Sequence, residues 1–329
     1  MSSSSFEEDA KLLKHALFEE QDTSAKEKIV IDIIKKYDLK HRLILRITYD
    51  EIFPENNFLA DINSQLSFSG QFCNLVTALF MDPIDLDCLE FKKIFDKVSL
   101  KKNIIIESLT LNPFWYNQKL IRAYNELYHR DLKMEINKIF PDNMRDALIT
   151  CLNTKRNNLD KEIDIEEINE KVKLLIQTNP VELLKNNEIF LNIFALPSPK
   201  ELIMIARIYK EQKGEHFLYL IENKLNQEES SFLKEVIYNT CRPSEYFACK
   251  LGESIKGVEV DVNTINRILI LRNEIDMKEI RTFYHKFNNE DFTKEIENIF
   301  NGGYRDLLLI YILNNIFFQY FFLIQLIIQ

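Results

Sequence analysis

The stretch QKLIRAYNELY, residues 118–128, has three counterparts elsewhere in the chain. They are LILRITYDEIF at residues 43–53, LIMIARIYKEQ at residues 202–212 and KEIRTFYHKF at residues 278–287. Each stretch contains a tyrosine in a similar setting, and the separations between Tyr49, Tyr124, Tyr209 and Tyr284 are 75, 85 and 75 residues. A nearly constant period of this size indicates a repeat architecture, in which each copy is one supersecondary unit.

Apolar residues follow the tyrosines at helical spacing. Leu132 and Ile136 come 8 and 12 residues after Tyr124, and the third and fourth copies repeat these offsets. In the first copy, Phe58 and Ile62 come one residue later. An i, i+4 spacing places such residues on one helical face. Prolines stand where further helices are expected to begin, because proline is tolerated at a first helical position: Pro83, Pro113, Pro199 and Pro243. The pattern predicts about five short helices per copy.

The predicted organisation is a short head, four copies, a linker and a tail. The boundaries are 1–10 for the head, 11–80 and 83–153 for two copies, 154–164 for the linker, 165–240 and 243–314 for two more copies, and 315–329 for the tail. The additional length between the second and third tyrosines falls in the acidic, polar linker region, so we expect the copies to form two sequential pairs, the first with the second and the third with the fourth.

The apolar tail allows two interpretations. Residues 307–329 are long enough to span a bilayer, but residues 307–313 are needed as the last helix of the fourth copy. The remaining residues 316–329 fall short of the roughly 17 that a spanning helix needs. We therefore expect the tail to pack on the core, a partner or a membrane surface, with a tail anchor as the alternative.

The composition favours an all-α protein and excludes several functional classes. Hydrophobic residues make up 46% of the chain and charged residues 28%, whereas only 6 Gly and 8 Pro are present. A net charge of −9 argues against a nucleic-acid partner. Five cysteines without CxxC spacing indicate neither a disulfide framework nor a zinc site. The first ten residues do not resemble a secretory signal, so we expect a cytoplasmic protein. Because no catalytic motif is found, no enzymatic activity is expected.

Four units of about 75 residues with five helices each resemble the annexin core, over about residues 6–314. The resemblance is sharpest at Ile255–Phe287, where RNEIDM at Arg272–Met277 is fairly specific. It implies an all-α fold of four annexin-type repeats arranged as a curved disk, and calcium-dependent binding to acidic phospholipid. In that family, carbonyls of a Gly-x-Gly-Thr loop between the first two helices of a repeat hold Ca²⁺ together with a carboxylate from a later loop.

The sequence departs from this calcium pattern in every copy. The loops of the first three copies, at residues 19–25, 96–103 and 180–188, contain no glycine. The fourth keeps Gly257 but has Glu259 and Val260 where the family has Gly and Thr. The positions of the later carboxylate fall near Gln65, Ile139, Lys224 and Ile299. We expect at most a low-affinity Ca²⁺ site at Gly257 and Glu259. The alternative is that this acidic loop simply begins a helix, with Asp261 as its cap.

Lysines in or near these loops suggest a replacement for calcium. They are Lys97, Lys101, Lys102 and Lys138 in the second copy, Lys185 and Lys224 in the third and Lys256 in the fourth. An ammonium group can contact a lipid phosphate directly, with each basic residue near an anionic leaflet contributing about 1 kcal/mol. The alternative is an ordinary solvated surface.

The sequence therefore predicts a cytoplasmic, annexin-like protein that binds acidic phospholipid membranes peripherally, with weak or lost calcium dependence. The alternative function is a structural or cytoskeletal scaffold that keeps the annexin fold without lipid binding. Its partners would be a cytoskeletal protein or further copies of the chain.

Overall fold

The structure, a computed structural model, describes residues 3–313 of the chain, so the apolar tail at 316–329 lies outside the described residues. Within residues 3–313 the regular structure is entirely helical, and the helices fall into four groups of about five. The predicted all-α fold of four repeats is confirmed. Of the segment predicted as a head, residues 3–10 form the beginning of the first helix.

The helices of the first two copies have the following bounds. The first copy contains α1 (Ser3–Phe18), α2 (Thr23–Ile34), α3 (Leu39–Ile52), α4 (Phe58–Gln65) and α5 (Gln71–Leu79), with a 3₁₀ turn at Ser67–Ser69. The second copy contains α6 (Pro83–Phe95), α7 (Asn103–Leu111), α8 (Phe114–Tyr128), α9 (Leu132–Ile139) and α10 (Asp142–Asn153).

The last two copies repeat this order with one irregularity. The third contains α11 (Ile165–Gln177), α12 (Glu182–Lys185), α13 (Asn187–Phe190), α14 (Pro199–Lys213), α15 (Phe217–Lys224) and α16 (Gln227–Cys241). A π-helical turn at Leu191–Ala195 follows α13, so the second helix of this copy is broken into pieces. The fourth contains α17 (Pro243–Lys256), α18 (Val262–Arg272), α19 (Met277–Asn288), α20 (Phe292–Ile299) and α21 (Gly302–Leu313).

Local sequence signals explain where several of these helices begin. Helices α6, α14 and α17 begin at a proline, and Pro113 directly precedes α8. At α14, Ser198 and Glu201 form a capping box, in which the Ser198 hydroxyl accepts from the Glu201 amide at 3.3 Å and the Glu201 carboxylate accepts from the Ser198 amide at 2.6 Å. The predicted helix starts at all four prolines are confirmed.

The four repeated tyrosines are almost completely buried, and they lie on α3, α8, α14 and α19. The Tyr49 ring lies 4.9 Å from that of Phe58, and the Tyr284 ring lies 5.0 Å from that of Phe292. The Tyr49 hydroxyl donates to Asp61 at 2.7 Å. Tyr284 donates in the same way to Glu295. Burial, reinforced by these hydrogen bonds, raises the pKa of both phenols.

The chain forms two compact units, and their composition corrects the expected pairing of copies. One unit, called here the continuous unit, spans residues 84–246 and contains the second and third copies. The discontinuous unit combines residues 3–83 with residues 247–313 of the described chain, and so contains the first and fourth copies. The expectation of two sequential pairs was wrong, because complementary polar contacts join the first copy to the fourth and the second to the third.

In the discontinuous unit, Glu274 joins the first and fourth copies. Its carboxylate accepts from the Leu39 amide at 2.9 Å and lies 3.6 Å from the guanidinium of Arg42, which is 3% exposed. Arg272 holds this region in shape through two hydrogen bonds to Asp276, at 2.8 and 2.6 Å. The RNEIDM segment therefore acts as a structural connector between copies.

In the continuous unit, buried Asn239 joins the third copy to the second. Its amide donates to the Glu107 carbonyl at 2.8 Å and to the Thr110 hydroxyl at 2.7 Å. The predicted linker is also held within this unit. Arg156 donates to the carbonyls of Phe194 and Pro197, at 2.6 and 3.0 Å.

No single helix within residues 3–313 is long and apolar enough to cross a bilayer. Among the described helices, one pair, Asn187–Ala195 with Pro199–Lys213, has the required length and composition together, and it is bent by 104°.

The tyrosine hydroxyls allow a matched stability test. Replacing Tyr49 by Phe removes a hydrogen bond to a carboxylate, so Tyr49→Phe should lower the free energy of unfolding by about 1.5–3 kcal/mol. The Tyr124 hydroxyl is buried without a partner among residues 3–313, so Tyr124→Phe should leave stability unchanged or slightly higher. Urea unfolding of both variants measures the difference. Equal losses would contradict the proposed role of the Asp61 contact.

Candidate functional site

The segment between α6 and α7, residues 96–102, is called here the second-copy loop. Lys97 has a left-handed backbone (φ 61°), which turns the chain at the end of α6. The Lys97 ammonium is exposed and makes no hydrogen bond or ion pair within the part of the chain that the structure describes. Lys101 is half-buried, and its amide donates to the Ser99 hydroxyl at 3.3 Å.

Lys102 connects this loop to the segment between α9 and α10. Its ammonium donates to the Ile139 carbonyl at 2.6 Å and lies 5.6 Å from the centre of the Phe140 ring. Ile139 is the position at which the family pattern has a carboxylate. The Lys102 ammonium therefore lies beside the position of the family carboxylate, where annexins of the usual pattern have a calcium ion.

Arg130 anchors an ion-pair network beneath the second-copy loop. It donates to Asp96 at 2.6 Å and to Glu135, which also accepts from Lys138 at 2.6 Å. Hydrogen bonds from Lys92 and Arg130 hold the pKa of Asp96 below its usual value. Burial acts to raise the pKa of Glu135, but the hydrogen bonds from Arg130 and Lys138 outweigh it and keep this pKa low. Both carboxylates and Lys138 are therefore engaged in structural pairs.

The segment between α17 and α18, residues 257–261, is the fourth-copy loop. The Asp261 carboxylate accepts from the Thr264 amide at 3.2 Å and from its hydroxyl at 2.7 Å, so Asp261 caps α18. Glu259 is exposed, and Lys256 lies 3.3 Å from Glu290. The helix-capping interpretation of this acidic loop is the one that the structure supports.

The fourth-copy loop fits a calcium ion poorly. Ca²⁺ requires six to eight oxygen ligands. Glu259 can supply a carboxylate, and the carbonyl oxygens of Glu253 and Glu259 converge near Gly257. Ile299, however, has no side-chain oxygen near the position where the family pattern has its carboxylate. Across residues 3–313, no three His, Cys, Asp or Glu side chains converge as a metal site would require.

The other predicted lysines lie at helix ends. Lys185 is the last residue of α12, Lys224 of α15 and Lys256 of α17. Lys138 is in the last turn of α9. These lysines therefore lie at the helix ends that border the segments between helices. A cation in the last turn of a helix also interacts favourably with the helix dipole, which gives these lysines a structural role.

Sequence reasoning missed a set of exposed apolar side chains. The four most exposed large apolar side chains among the described residues are Phe68 at 95%, Val98 at 78%, Leu100 at 87% and the fully exposed Val258. All four lie in segments between α-helices, two of them in the second-copy loop. An apolar residue within a predicted polar loop is the signal that would have found them.

Comparisons with known proteins agree on one family. The annexin family model matches residues 246–310. The chain is 21% identical to annexin B10 of Drosophila melanogaster over 296 residues, which cover 90% of each protein. The chain is therefore similar to annexins in sequence and in fold. Among solved structures, annexin III superposes with a TM-score of 0.85 at 22% identity, covering 95% of both chains. Calcium-bound annexin (Sm)1 superposes with a TM-score of 0.81 at 18% identity, covering 95% of this chain and 92% of that one.

The similarity to annexins extends to the positions of the two loops. The structural likeness to annexin III covers 95% of both chains, so the second-copy and fourth-copy loops correspond to the connections between the first two helices of a repeat. The chain differs from the annexin pattern in these connections: the second-copy loop has no glycine, and the fourth-copy loop keeps Gly257 but has Glu259 in place of the second glycine.

The Arg130 network predicts a specific pH dependence. Asp96 and Glu135 have native pKa values below their unfolded values, so their contribution to stability is complete above the unfolded values and is lost as the pH falls through the native ones. Arg130→Gln should therefore reduce the loss of stability between about pH 5 and pH 3. Thermal unfolding at several pH values measures this.

Arg145 provides the control for this prediction. It pairs at the surface with Asp142 and Asp146, of which Asp142 is almost fully exposed. Arg145→Gln should leave the acid dependence as in the native chain. An identical effect of both substitutions would contradict a specific role for Arg130.

Proposed function

We propose that this annexin-like protein binds the surface of acidic phospholipid membranes peripherally, without enzymatic turnover, and that lysine side chains replace most of the calcium contribution. The observation that carries the proposal is the second-copy loop. It presents Lys97, Lys101 and Lys102 within six residues, and its only acidic residue, Asp96, is paired with Lys92 and Arg130.

The local charge matters more than the net charge of −9. At physiological ionic strength the Debye length is about 8 Å, so a bilayer interacts mainly with the charges that approach its surface. Each lysine near an anionic leaflet contributes about 1 kcal/mol. Three lysines would give weak binding that decreases with salt.

Lys102 has a second role in this proposal. Its bond to the Ile139 carbonyl uses one of three N–H groups and fixes the ammonium between two helix connections. The remaining donors are available to a lipid phosphate. A calcium ion in annexins bridges protein carbonyls and lipid phosphate, and Lys102 would form the corresponding bridge without an ion.

In this proposal, calcium contributes little to membrane binding. The fourth-copy loop supplies one free carboxylate at Glu259 and backbone carbonyls near Gly257, which suits at most low affinity. The calcium-bound state of annexin (Sm)1 supports the general ability of the fold to hold this ion. Binding by this chain should nevertheless persist when calcium is chelated.

Cosedimentation with phosphatidylserine vesicles in EGTA tests the proposal. The full chain should bind at low salt and be released as NaCl is raised. The double variant Lys97→Gln and Lys101→Gln should weaken partitioning by about 1 kcal/mol, or about fivefold, per lysine. Adding Ca²⁺ should change binding of either protein little.

The matched control removes the same charge from the same unit. Lys155 and Lys173 are exposed lysines in the 154–164 segment and on α11. Lys155→Gln with Lys173→Gln should leave binding unchanged. Equal losses in both double variants would attribute binding to net charge alone. Binding only with Ca²⁺ would overturn the lysine mechanism, and no binding under any condition would favour the scaffold function.

A further inference from the structure

The four most exposed large apolar side chains among residues 3–313 lie in three segments between α-helices. Phe68 and Val258 belong to the discontinuous unit, and Val98 with Leu100 to the continuous unit. The next in order of exposure, Met134 at 65%, lies on a helix. Single exposed apolar residues need no explanation, but their concentration at the tips of helix connections does.

Phe68 is carried on a turn without charge. Residues 64–71 contain no ionisable side chain. Two amides of the turn are bonded within it: the Ser69 amide donates to the Leu66 carbonyl at 2.9 Å and the Gly70 amide to the Ser67 carbonyl at 3.3 Å. These two bonds lower the cost of moving the turn out of water.

The second-copy loop combines the same feature with charge. The amides of Val98 and Ser99 both donate to the Lys93 carbonyl, at 2.8 and 3.0 Å, and the Leu100 carbonyl accepts from the Lys102 amide at 2.9 Å. The backbone thus turns inward while the apolar side chains of Val98 and Leu100 remain outside. Lysines flank them on both sides, which is complementary to the negative headgroups above an acyl layer.

We propose that Phe68 and Leu100, with Val98 beside Leu100, enter the interfacial layer of an acidic phospholipid bilayer. This inference rests on the proposed membrane-binding function and adds a hydrophobic component to it. Salt screens the attraction between lysines and the anionic surface, but it does not screen the apolar contacts of inserted side chains. Part of the binding should therefore resist high salt.

Tryptophan emission tests the insertion. The only native tryptophan, Trp115, is first replaced by Phe. In this background, Phe68→Trp and Leu100→Trp each place a probe at a proposed tip. Emission should shift to the blue on adding phosphatidylserine vesicles, and acyl-chain-brominated lipids should quench it. The matched controls are Ile47→Trp on α3 and Ile203→Trp on α14, which are exposed positions in the same two units.

A second measurement avoids the Trp115 replacement. Phe68→Ser and Leu100→Ser in the otherwise native chain should each reduce vesicle partitioning about tenfold, because each removes a large apolar contact. Ile47→Ser and Ile203→Ser should leave it unchanged.

The outcomes separate the two proposals. If the protein binds vesicles but neither tip shows a blue shift or quenching, insertion is overturned and surface binding stands. The same conclusion follows if both serine variants partition as the native chain does. Absence of binding overturns both. Emission already shifted to the blue in buffer, together with concentration-dependent self-association, would show that another copy covers the tips, and would also overturn insertion.

Discussion

The burial of one tyrosine at the centre of each copy is the constraint on which the rest of this fold depends. Each of these rings is almost completely buried, so the neighbouring helices must meet around it. The aromatic partner comes from the first residue of the following helix, as Phe58 does for Tyr49 and Phe292 for Tyr284. This contact fixes the short fourth helix against the third, and so fixes where the connection after it emerges.

Much of this fold could be predicted from the sequence. The tyrosine period and the prolines at helix starts are local signals, because they depend on backbone geometry and on the helical repeat. The pairing of copies could not be predicted in this way. It depends on contacts such as that of Glu274 with the Leu39 amide, between positions that no periodic pattern links.

The candidate site was less predictable. The lysines could be identified from the sequence, but the role of each one depends on which groups its ammonium contacts in the folded chain. Lys102 extends to the carbonyl of Ile139, whereas Lys138 is committed to Glu135. The residues with the greatest exposure, Phe68 and Leu100, were missed because exposure of an apolar side chain follows from the path of the turn that carries it. Composition alone assigns such residues to the core.

The discontinuous unit has a consequence for the order in which the chain folds. The Leu39 amide and the Glu274 carboxylate that join its two halves are separated by 235 positions. On the ribosome, the continuous unit has been synthesised completely before the last copy appears, so it can fold first. The N-terminal copy emerges earliest yet must keep its apolar faces uncovered until synthesis is nearly finished. Long-range closure of this kind is slow and exposes apolar surface to aggregation. The first copy is therefore the part of the nascent chain with the greatest need of chaperone protection.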